Sequence, residues 1–82
     1  MTTPIQTSDH LGKAVRTARK ALRLTQPQLA LAAGVGVRFI VELEAGKPTV
    51  RLENVLRVIH ALGGSLVLEG MEYPADHRES TQ

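Results

Sequence analysis

Residues 24–47 read LTQPQLALAAGVGVRFIVELEAGK, and this stretch decides the fold. Thr25 is a natural N-cap, and Gln28 three residues later completes a capping box. Pro27 falls in the first turn, where its missing N–H costs nothing. Leu29, Ala30 and Ala33 then supply one buried side, with Ala30 small enough for close helix contact. Gly34 ends this helix where a left-handed backbone is commonly needed. After Val35 the chain restarts at Gly36, and the spacing predicts a second short helix over about 37–45. Phe39, Ile40 and Leu43 share its inner side, while Val37, Arg38, Val41, Glu42 and Ala45 cover the opposite arc. That outer arc is neither core nor an ordinary charged surface. Two β-branched residues set between a cation and an anion suit a groove that offers both methyl groups and polar edges. Two short helices joined by a glycine turn make a helix-turn-helix.

Upstream, Leu11, Val15, Ala18 and Leu22 recur at helical spacing, so a first helix is expected over about 9–23, capped by Ser8 with Asp9 in its first turn. Lys13, Arg16, Lys20 and Arg23 fall on it within an arc roughly 80° wide, away from the apolar side. Downstream, Leu52, Val55, Leu56, Ile59 and Leu62 define a helix over about 51–62, stopped by Gly63 and Gly64. SLVLE, residues 65–69, is short and β-branched enough to form a strand. A lone strand has no partner in a helical chain, so pairing with its own copy across a two-fold axis is the simplest resolution, through Leu66, Val67 and Leu68. The expected organisation is a flexible start over residues 1–8, one domain over 9–70, and a flexible polar tail over 71–82. The fold class is all-α, with four to five short helices and a dimerising C-terminal strand.

Composition narrows the function. The chain has 82 residues, one Phe, one Tyr, no Trp and no Cys. A single small core of Leu, Val, Ile and Ala gains from burying further surface in a dimer. Neither disulfides nor thiolate metal sites are available, and a reducing cytoplasm is the plain expectation. The first ten residues lack the basic-then-apolar pattern of a signal peptide, and no apolar run reaches membrane-spanning length. The net charge of +2 hides an asymmetry. Residues 11–51 carry eight Lys/Arg against Glu42 and Glu44; residues 52–82 carry Arg57 and Arg78 against five acids. A basic block ahead of an acidic one points to a polyanion partner for the first two-thirds. Enzyme readings fare poorly. His10, His60 and His77 share no metal spacing, no nucleophile–base arrangement is visible, and the glycines form no phosphate cradle. No cofactor is expected.

The whole span from LGKAVRTARKALRLTQ through LENVLRVIHALG resembles the Cro/C1-type (XRE) repressors, which share the lambda-repressor-like fold. The ending ALGGSLVLEG narrows the resemblance to the HipB-like antitoxins, including the group named after the Y4mF regulator. This resemblance implies a homodimer on palindromic operator DNA, with recognition helices about 34 Å apart. It also implies a HipA-like serine/threonine kinase toxin as partner, and repression of the protein's own operon. By the same resemblance Gln26 holds a DNA phosphate, with Thr25 and Gln28 beside it at the DNA-facing end of the second helix. Val37, Arg38, Val41 and Glu42 take base-facing positions: Arg38 toward guanine, Glu42 toward cytosine N4, and the valines toward thymine methyls. Lys47 takes a phosphate. Gly36 stands where relatives usually have Ser or Thr, so a hydroxyl contact is lost. Arg19 and Glu44 match a pair that holds the fold. A stand-alone repressor without a toxin, or an interaction module that never touches DNA, are the rival readings. The recognition-helix face and the basic arc argue against the latter.

Overall fold

The computed structural model describes residues 2–70, and they form four helices: α1 (Ser8–Ala21), α2 (Gln26–Ala33), α3 (Val37–Glu44) and α4 (Leu52–Ala61). α1 packs on α3, and α2 packs on both α3 and α4. The core is one cluster of Val15, Leu29, Ala30, Ile40, Leu43, Val55 and Val58, with Phe39, Leu11 and Ile59 packed at its edge. Leu29, Ile40, Leu43 and Val58 are fully buried, each worth about 1.5–3 kcal/mol relative to exposure.

The capping box forms as expected: the Gln28 N–H donates to Thr25 Oγ1 at 3.1 Å, and the Thr25 N–H donates to Gln28 Oε1 at 2.8 Å. Gly34 ends α2 with φ +73°, and the Val35 N–H closes on the Ala30 carbonyl. At the first helix four expectations shift. The N-cap is Thr7, whose Oγ1 accepts from the His10 N–H at 3.1 Å, and Ser8 is already helical. The helix stops at Ala21 rather than 23, because Arg23 turns left-handed (φ 59°) and the Leu24 N–H bonds back to the Arg19 carbonyl. Arg23 therefore leaves the helical arc it was expected to share, and Leu22 is half-exposed rather than in the apolar face. On α4 the buried face is rotated: Val58 is fully buried while Leu52 faces outward.

Gly12 explains how α1 and α3 come so close. A Cβ at that position would lie 2.5 Å from the Leu43 carbonyl oxygen and 2.8 Å from that of Glu44. Beyond α4, residues 64–69 carry no strand, since the segment has no ladder partner within its own chain; Leu66, Val67 and Leu68 are exposed. The tail expected over 71–82 lies outside the described residues. Among the described residues no helix is long and apolar enough to cross a membrane.

Candidate nucleic-acid interface

α3 owes its position to its inner face. Ile40 and Leu43 are anchored in the core, which leaves Val37 and Val41 turned outward at 43% and 45% exposure. Arg38 stands beside them with its side chain 90% exposed. Glu42 lies between two cations: Arg38 Nε approaches Oε2 at 3.3 Å, and Lys47 Nζ approaches Oε1 at 3.3 Å. The Lys47 hydrogen bond, then that of Arg38, hold the Glu42 carboxyl below the usual carboxylate range. Lys47 reaches back because Gly46 turns left-handed (φ +85°) and lets the Lys47 N–H bond the Glu42 carbonyl. The structure thus brings Val37, Arg38, Val41, Glu42 and Lys47 onto one surface.

The end of α3 is fastened by a network across three elements. Arg19 donates to both Glu44 oxygens, Nε to Oε2 at 2.7 Å and Nη2 to Oε1 at 2.9 Å, and its Nη1 donates to the Leu24 carbonyl at 2.8 Å. Gln26 Nε2 adds a third donor to the carboxylate, 3.1 Å from Oε1. The Glu44 side chain is only 5% exposed. Burial pushes its carboxyl up, but the hydrogen bonds from Arg19 and Gln26 and the nearby Arg19 and Arg16 charges outweigh it, so the group sits below its ordinary value. The Arg19 guanidinium is correspondingly raised, chiefly by its bond to Glu44. The fold-holding pair is therefore present. The link from Gln26 to Glu44 was not legible in the sequence, because the two residues meet only once α2 and α3 have docked.

Thr25 and Gln28 are exposed at the start of α2 and occupied with each other. Gly36 caps α3 without a side-chain bond, and nothing lies within 4 Å of where its Cβ would be. Leu66, Val67 and Leu68 are not part of this surface; they follow α4 on an exposed segment.

Residues 15–68 match the model of a helix-turn-helix family. The chain is 52% identical over 62 residues to a protein of Sinorhizobium fredii described as the uncharacterized HTH-type transcriptional regulator y4mF, covering 76% of this chain and 82% of that one. Among solved structures, a chain of the HipA-HipB-O2-O3 complex superposes with a TM-score of 0.78 at 21% identity, over 87% of this chain and 100% of that one. A chain of the HipB-O4 20mer complex gives the same values. The shared elements are the helices and turn described above, and this protein belongs to the Cro/C1-type (XRE) helix-turn-helix family of DNA-binding transcriptional regulators.

Proposed function

We propose that this regulator is a sequence-specific repressor that binds operator DNA as a homodimer in the cytoplasm and serves as the antitoxin of a HipBA-type operon. The observation that carries the DNA half is the outer face of α3. Two half-exposed valines and an exposed arginine stand over a fully buried Ile40 and Leu43, on a helix fastened at its far end by Arg19. Arg38 reads guanine, Val37 and Val41 meet thymine methyls, and Lys47 takes a phosphate. Glu42 reaches a cytosine amine only by releasing Arg38 or Lys47. Gln26 holds Glu44 with one amide hydrogen and has a second for a phosphate oxygen, with Thr25, Gln28 and Gly36 along the same backbone path.

The homodimer reading rests on the exposed Leu66–Leu68 segment, which needs a second copy to complete a ladder. The antitoxin reading is supported by the likeness to chains of HipB structures, one of them a complex with HipA. The acidic balance after residue 51 turns that half away from DNA and leaves it for the kinase. A stand-alone repressor remains the second reading, since the relative from S. fredii is described only as a transcriptional regulator.

The test is a pull-down of the co-expressed neighbouring reading frame, run beside an operator shift assay, with wild type and the Arg38→Ala, Lys47→Ala double variant. The variant is expected to lose operator binding and still capture a kinase. Loss of both activities together overturns the division of surfaces. Capture of nothing by wild type favours the stand-alone repressor.

A further inference from the structure

Of the basic arc on α1, Arg16 and Lys20 face a different neighbour from Lys13. They line an open cleft of about 430 Å³ between α1, the start of α2 and the outer side of α3, together with Arg19, Gln26, Val41 and Glu44. Lys13 lies in another groove, beside Pro4, His10 and Thr17. Within the cleft the charges of Arg19 and Glu44 cancel in their two-bond pair. Among the described residues neither Arg16 nor Lys20 has a carboxylate partner within 4 Å, so the cleft keeps two uncompensated cations. Its mouth is shared by Val41, on the face proposed to enter the groove, and by Gln26, proposed to track the backbone. On the DNA-binding reading, that lining puts the cleft beside the path of the sugar–phosphate chain.

We propose that Arg16 and Lys20 form a phosphate seat on α1, outside the helix-turn-helix, that grips the DNA backbone beside the Gln26 contact. This rests on the DNA-binding reading above. It also offsets the bare Gly36: the turn offers no hydroxyl and has open space where one would stand, while the two cations supply backbone grip from α1. A cation pair serves here better than a hydroxyl, because hydrogen bonds to a phosphate from charged donors are roughly twice as strong as neutral ones. The seat carries no base information, so it adds grip without sequence preference.

The experiment measures binding as a function of salt. The probes are a duplex selected by the wild-type protein from a random pool, and a scrambled duplex of the same length. The variants are Arg16→Gln, Lys20→Gln, the double variant and Lys13→Gln; glutamine keeps the side-chain stem, and a thermal melt of each confirms folding. The double variant is expected to lose about tenfold or more on both duplexes alike, and to flatten the log–log salt slope by about one phosphate contact. Lys13→Gln should stay within about twofold of wild type, since a charge outside the contact is screened at ordinary salt. A folded double variant with wild-type affinity and slope overturns the seat. So does a loss confined to the selected duplex, which would place these residues on bases. If wild type binds neither duplex, the DNA-binding reading itself fails and the seat falls with it.

Discussion

Substituting Gly12 by alanine tests the close approach of α1 to the end of α3. The added Cβ meets the Leu43 carbonyl oxygen at 2.5 Å and the Glu44 oxygen at 2.8 Å, and both are backbone atoms that cannot rotate away. To restore ordinary contact near 3.4 Å, the end of α3 must withdraw from α1 by about 0.9 Å. Overpacking of this kind costs about 1–3 kcal/mol. Alanine returns about 0.8–1 kcal/mol through its better helix propensity. Two backbone contacts below 3.0 Å put the overpacking cost in the upper part of its range, about 2–3 kcal/mol. The balance is a loss of about 1–2 kcal/mol, or on the order of 5–15 °C in Tm for a domain of this size. The displaced atoms belong to the residues that carry the Arg19 bridge, so α3 should also sit wrongly in the groove. A circular-dichroism melt at fixed protein concentration, paired with an operator titration, reads both effects. A Gly12→Ala protein as stable as wild type, or more stable through propensity alone, would refute the reasoning.

Other perturbations follow from the same geometry. Because the Glu44 carboxyl is lowered in the folded state, its contribution is complete above the ordinary carboxylate range near about pH 4.3 and is lost as pH falls through the depressed value. Glu44→Gln should therefore cost about 3 kcal/mol at neutral pH and weaken the acid limb of a urea-midpoint profile below about pH 5; an unchanged acid limb counts against the bridge. Arg23→Gly relieves a left-handed arginine and should raise stability by about 1 kcal/mol, measured by denaturant melts; a destabilised variant would mean the arginine side chain matters more than its backbone. Glu42→Gln releases Arg38 and Lys47 from their shared carboxylate. Affinity for unrelated duplex should rise and the salt slope steepen, whereas a fall on the selected duplex alone would mark Glu42 as a base reader.

Much of the fold could be read from local chemistry. The Thr25–Gln28 box, the left-handed Gly34 and the inward Ile40 and Leu43 are each decided within a few residues, so spacing suffices to find them. The outer face of α3 follows from the same phase. What escaped was decided over longer distances. Arg23 adopts a conformation that sequence patterns reserve for glycine, because the turn into α2 demands it whatever residue stands there. Leu52 and Val58 are equally good candidates for the core of an isolated helix; docking against α2 chooses Val58. The division of the α1 basic arc was invisible for the same reason. Four cations at helical spacing look alike until α2 and α3 wall off a cleft beside two of them.

The Arg19–Glu44–Gln26 network has a consequence for the speed of recognition. Three donors from α1 and α2 converge on one nearly dry carboxylate at the end of α3, so the helix cannot swing without breaking several bonds together. Little conformational freedom is then left to lose on reaching DNA, and the ordering cost that penalises mobile binding surfaces is largely avoided. Encounter becomes the docking of a preformed shape, for which rates of about 10⁵–10⁷ M⁻¹s⁻¹ are usual without steering and higher values follow when a basic surface meets a polyanion. A wrong sequence is met by the same rigid face. Discrimination then shows itself in how quickly the protein leaves a site, while arrival is much the same everywhere.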